Sequence, residues 1–282
     1  MKIGFCMLLW TTSVGEAHRA LLADIKEIGY DGVEIPVFDG SPDTYAQTGK
    51  MLDDIGLERT CISVVPALEM NPLSEDAAIR AAAVNYLKWC VDCTAALGAD
   101  VIGGPLHQTL GHFSGAGTTE AEFERAREVH AQVGDYAQAN GVVIALEAIN
   151  RFESYFANTM DDLCAYTRSL DHPAIKTMYD TFHANIEERD PVAAFTRNAG
   201  DIVHVHISEN DRGVPGRGHI PWVETFRAIK ASGYDRWLTI EAFGRGLPEL
   251  AAATRVWRDF AESPEAYYRD GYQCIRDGWE AV

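Results

Sequence analysis

Short apolar runs alternate with longer amphipathic stretches along the whole chain. The apolar runs fall at 3–9 (IGFCMLL), 32–37 (GVEIPV), 59–65 (RTCISVV), 100–104 (DVIGG), 142–147 (VVIALE), 175–179 (IKTMY), 202–207 (IVHVHI) and 237–241 (WLTIE). Runs this short, rich in β-branched residues, read as buried strands. Between them, apolar positions recur at three and four residues, as in Leu21, Leu22, Ile25 and Ile28. That spacing predicts helices over 16–28, 42–55, 75–97, 119–139, 160–170, 190–199, 222–232 and 247–260. Gly29, Gly56, Gly98, Gly141 and Gly233 each stand just before a strand. Glycine there ends the preceding helix, because it accepts the left-handed cap.

Strand–helix alternation predicts a parallel sheet. Eight such units close a (β/α)8 TIM barrel, whose usual size is about 250 residues. The segment 264–280 then reads as an extra C-terminal helix with Pro264 in its first turn. We expect one barrel domain over residues 1–282. A doubly wound open sheet would carry G-x-G-x-x-G after the first strand, and the chain has none there.

The formal net charge of −18 argues against DNA, RNA or an anionic membrane as partner, since these need clustered cations. "MKIGFCMLLWTTS" reaches polar residues too soon to read as a secretory leader, and no run approaches 18 apolar residues. The expected location is the cytoplasm, where six irregularly spaced cysteines stay reduced. Cys90 and Cys93 form a lone C-x-x-C within a predicted helix, so they read as packing residues.

The candidate chemistry lies at strand ends. In "ALEAINRFES" (145–154) an apolar run stops at a carboxylate, Glu147, and more polar groups follow at once. In this fold the C-terminal strand ends face the active site. The sixth strand leads into Asp180, the seventh carries His206, and the eighth ends at Glu241. Helix capping does not predict potential ligands on four consecutive strands. Together they make a site for one hard or borderline divalent cation: Mn²⁺ or Mg²⁺ for the carboxylates, or Co²⁺, Fe²⁺ or Zn²⁺, which also accept imidazole. His204 shares the strand face of His206 one layer deeper and reads as a supporting residue, not a ligand.

"ALEAINRFES", "YDTFHANIEE", "HVHISENDR", "PGRGHIPW" and "IEAF" resemble the ketose 3-epimerases, the D-tagatose and D-psicose (allulose) group of the xylose isomerase-like barrels. The resemblance spans nearly the whole chain and is most specific over 142–245. It implies that Glu147, Asp180, His206 and Glu241 hold one divalent ion, Mn²⁺ first, with Mg²⁺ or Co²⁺ possible. It implies that Glu147 and Glu241 are also the two acid/base residues. Glu153, His183 and Arg212 match positions that contact the sugar hydroxyls around C1 to C3. Inverting a carbon beside a ketone removes a proton from one face and returns one to the other, which needs two opposed bases. The cation would stabilise the enediolate between those steps. The expected substrate is a neutral free ketose of the D-tagatose, D-fructose, D-psicose or L-ribulose type. The expected assembly is a homodimer or homotetramer.

Two loops depart from that family's pattern: "SVVPALEMNP" after the third strand and "GGPLHQTLGHFSGAG" after the fourth. His107 and His112 in the second are either substrate contacts or exposed loop residues. Other chemistries remain open: aldose–ketose isomerisation, work on inososes, hydroxypyruvate or keto-glycosides, or sugar binding without catalysis. A nuclease of the endonuclease IV type would need more histidines than nine and a basic track.

Overall fold

The computed structural model describes residues 1–282. Eight parallel strands close into a barrel in chain order. They are β1 (Lys2–Cys6), β2 (Gly32–Pro36), β3 (Glu58–Ile62), β4 (Val101–Gly104), β5 (Val143–Glu147), β6 (Ile175–Asp180), β7 (Ile202–Ile207) and β8 (Trp237–Ile240). β1 pairs with both β2 and β8, which leaves no free edge.

The helices are α1 (Arg19–Ile28), α2 (Pro42–Ile55), α3 (Ala77–Leu97), α4 (Glu120–Ala139), α5 (Met160–Leu170), α6 (Thr181–Glu187), α7 (Pro191–Asn198), α8 (Trp222–Ala231), α9 (Pro248–Thr254) and α10 (Pro264–Glu280). Outward strand residues such as Phe5, Val33, Ile35, Ile144, Val205 and Ile240 meet helix residues such as Leu22, Leu52, Leu87, Val133 and Phe226 in one continuous core. Inside the barrel, Val101, Ala145, Met178 and Val203 plug the N-terminal end. The closed end is therefore apolar, and polar strand ends collect at the other. Gly56 and Gly98 end α2 and α3 in the left-handed conformation, as their positions predict.

Several boundaries differ from the sequence reading, each for a local reason. β1 stops at Cys6, because Met7–Leu9 turns in a 3₁₀ helix that tucks Leu8 against Ile62 and Phe243. The helix expected over 247–260 ends at Thr254. Arg255 takes φ 61° there, and Val256 drops into the same apolar cluster. Burial of Val256 thus overrides helix propensity. An unforeseen helix, α6, starts directly at the end of β6. Asp180 caps it without any loop between, its Oδ1 accepting the Phe182 amide at 2.6 Å. The C-terminal helix forms as expected and packs on α1 and α8. Its Tyr268 carbonyl accepts the Tyr30 hydroxyl at 2.7 Å.

Candidate active site

Four buried polar side chains meet at the C-terminal mouth of the barrel. Glu147 ends β5, Asp180 ends β6, His206 lies one residue from the end of β7, and Glu241 follows β8 directly. Each offers a ligand atom within 4.8 Å of the others. Glu147 Oε1 and His206 Nδ1 are buried and have no hydrogen-bond partner. Orphaned acceptors at such depth are costly. Three carboxylates and one imidazole aimed at a common point fit a divalent cation, and the two orphaned acceptors are free to ligate one.

The sequence reading missed Glu34, which is fully buried on β2. Its Oε1 lies 2.9 Å from His206 Nε2. The other ring nitrogen, Nδ1, faces Asp180 Oδ2 at 3.6 Å and Glu241 Oε2 at 3.5 Å. A carboxylate behind a histidine fixes the ring's orientation and tautomer, here with the proton on the Glu34 side. His204, placed in the second layer from sequence, lies 2.8 Å from the other Glu34 oxygen, off the line of a good hydrogen bond. Thr60 Oγ1 donates to that oxygen at 3.3 Å. Burial alone would raise the Glu34 pKa, but His206 and His204 outweigh it and hold the carboxyl well below its usual range. The available signal was a charged residue in the middle of "GVEIPV", where an apolar strand should carry none.

The D-T-F-H segment now has a physical reading. Asp180 Oδ1 caps α6, and Oδ2 stays at the site, 2.9 Å from Arg212 Nη1. Thr181 ties α6 to β7 by donating to the Ser208 carbonyl at 2.6 Å. The Phe182 ring lies under the Arg212 guanidinium, 4.0 Å from ring centroid to carbon. His183 is buried, with Nδ1 accepting the Asn150 amide at 3.1 Å. On the other side of the ring, Nε2 lies 2.9 Å from Arg212 Nη2, a group that can only donate, and 3.7 Å from Glu147 Oε1. Burial first, then the Arg212 charge, push the His183 pKa down to about 3. Arg212 also bonds Glu241 through Nη1.

Burial, then the neighbouring Glu241 carboxylate, raise the Glu147 pKa well above the usual range. Burial on its own would raise Asp180, yet the Arg212 charge wins and holds it low. Glu153 sits half-buried on the turn after β5. Desolvation raises its pKa against the Arg212 field that reaches it. The structure thus brings all seven candidate residues to one mouth, and Asn150, which follows Glu147 so closely, positions His183.

The two divergent loops are stitched together. Val65 bridges Thr109, whose hydroxyl donates to the Ala67 carbonyl at 3.0 Å. Gln108 Oε1 accepts the Phe156 amide at 3.1 Å, joining the loop after β4 to the loop after β5. His107 is fully buried and stacks on Phe156 with centroids 5.0 Å apart, so it is not an exposed loop residue. His112 is half-buried, and its carbonyl accepts from Gln108.

The xylose isomerase-like TIM barrel family model matches residues 22–277. An L-ribulose 3-epimerase of Mesorhizobium japonicum is 32% identical over 92% of this chain and 87% of its own. The chain belongs to the ketose 3-epimerases. This family member is therefore an enzyme, an isomerase of the epimerase type. A solved L-ribulose 3-epimerase superposes with TM-score 0.93 at 30% identity, covering 99% of this chain and 95% of that one. The D-psicose 3-epimerase of Clostridium cellulolyticum H10, solved with D-tagatose, gives 0.89 at 29% identity over 100% and 99%.

Proposed function

We propose that the enzyme inverts C3 of a free ketose, of the D-tagatose, D-fructose, D-psicose or L-ribulose type, by a two-base mechanism. One observation carries this reading: Glu147 and Glu241 converge on a shared buried point from strand ends that β6 and β7 separate. Two carboxylates so placed reach a sugar from different sides. One takes the C3 proton, and the other returns a proton to the opposite face. Binding alone would need no such pair.

Glu147, Asp180, His206 and Glu241 would hold one divalent ion, Mn²⁺ in the first instance, with Mg²⁺ or Co²⁺ as substitutes. When bound, the ion supplies the positive charge that acidifies a carbon next to a ketone and stabilises the resulting oxyanion. His183 and Arg212 lie beside the converging carboxylates, where each can bond a sugar hydroxyl, a group that both donates and accepts. Glu153 accepts from a neighbouring hydroxyl. Burial of all these groups except the half-buried Glu153 keeps water from competing for the exchanged proton.

A neutral sugar fits the −18 chain better than a phosphate does. The names of the similar enzymes point the same way, and the six free cysteines, five of them buried, suit a reducing cytoplasm. The test is a panel of free ketoses and ketose phosphates offered to Mn²⁺-loaded protein. We expect C3 epimers from the free sugars. A ketose phosphate turned over far faster than its free sugar would overturn the substrate class.

A further inference from the structure

The string "PGRGHIPW" takes no part in the chemistry above, yet it is shaped around one side chain. Glu209, two residues after β7, is 1% exposed. Its Oε1 accepts the Asn210 amide at 3.0 Å and the Ile220 amide at 3.2 Å. Its Oε2 accepts the Gly216 amide at 2.9 Å and the Trp222 indole N–H at 3.0 Å. Four donors, spread from one end of the 208–221 connection to the first residue of α8, thus close on one carboxylate. Such charge-assisted bonds are stronger than neutral ones. Asn210 Oδ1 adds a fifth tie, to the His219 amide at 2.9 Å. A Cβ on Gly218 would sit 2.3 Å from Glu209 Oε1 and 2.0 Å from Asn210 Oδ1. Only glycine lets the chain wrap this closely.

Arg212 rides on the inner edge of this cradle. Its amide donates to the Glu209 carbonyl at 3.0 Å, and its carbonyl accepts the Phe243 amide at 3.0 Å. It holds φ 65°, a left-handed conformation that an arginine keeps only when its surroundings impose it. From there its guanidinium reaches Asp180, Glu241 and His183.

We propose that Glu209 is a positioning residue: it ties the 208–221 connection into the shape that projects Arg212 into the active site. This rests on the reading of Arg212 as a substrate contact. Glutamine at 209 keeps the size but carries only one acceptor oxygen. Its NH₂ would meet two N–H donors, so two of the four bonds are lost.

Two measurements on the Mn²⁺-loaded protein test the idea. In Glu209→Gln, amide hydrogen exchange should accelerate within 208–221 and stay unchanged in the barrel strands. On a ketose that the wild type epimerises, kcat/KM should fall about tenfold to a hundredfold, mostly through KM. The Glu209→Gln/Arg212→Ala double variant should lose no more than Arg212→Ala alone, since one residue acts through the other. Gly218→Ala presses on the same carboxylate from the other side and should give the same pattern if the first variant fails to fold. Unchanged exchange in both variants, or additive losses in the double variant, would overturn the proposal. If Arg212→Ala alone kept wild-type kinetics, the catalytic half would fall with the assignment of Arg212, while faster loop exchange would still stand as evidence for the cradle.

Discussion

Glu34 and His206 lie 172 residues apart in sequence, yet a 2.9 Å contact joins them. The strand-end residues Glu147, Asp180, His206 and Glu241 were legible without a structure, because a charge closing an apolar strand announces itself. Glu34 was not, because its meaning depends on a partner that only barrel closure supplies. Glu34→Gln should weaken Mn²⁺ binding to chelator-stripped protein about tenfold, read by calorimetric titration, because it loosens the imidazole behind the ion. An unchanged affinity would contradict that role. The same titration on the wild type should find about one equivalent of ion, the number one four-residue site predicts. Arg212, His183 and Glu153 were legible only by resemblance, since nothing in their spacing reveals that a left-handed arginine turns back onto β6 and β8.

At the scale of elements, alternation and glycine caps marked every strand and nearly every helix. The misses were α6, which starts without a loop, and α9, which a buried valine cuts short. Local propensity carries no signal for either event. The packing of α2 on α3 offers a sharp test. A Cβ on Gly49 would sit 2.4 Å from the Leu97 carbonyl oxygen at the end of α3. Backbone cannot yield as a flexible side chain can, so Gly49→Ala should destabilise the fold by ~1–3 kcal/mol. Urea unfolding measures it, with a lower midpoint and an unchanged slope expected. A neutral or stabilising outcome would mean that the two helices can shift apart freely.

Across the whole molecule, the packing of helices and loops around the barrel buries groups that then resist protonation. Burial pushes His107 down to about 3 and His130 down to about 4. In the unfolded chain each binds a proton near pH ~6.5. Between that pH and the folded values the unfolded state holds more protons, so stability rises with pH and is lost as pH falls through the window. Each histidine contributes a slope of ~1.4 kcal/mol per pH unit there. His130→Gln should flatten the stability profile between pH ~6.5 and ~4 relative to wild type, whatever its effect at neutral pH. A parallel profile would show that His130 titrates freely in the fold. The eight-unit count made the barrel readable from sequence, whereas the dry packing of α4, α5 and the loops after β4 and β5 that depresses these histidines exists only in the assembled molecule. The central claim, inversion at C3 by two opposed glutamates, is tested most directly by the position of solvent hydrogen in the product. Mn²⁺-loaded protein acting on D-psicose in deuterated water should yield D-fructose with deuterium at C3 and none at C1, while Glu147→Gln and Glu241→Gln should each yield no inverted sugar. Deuterium at C1, or near-normal epimerisation by either variant, would contradict the account.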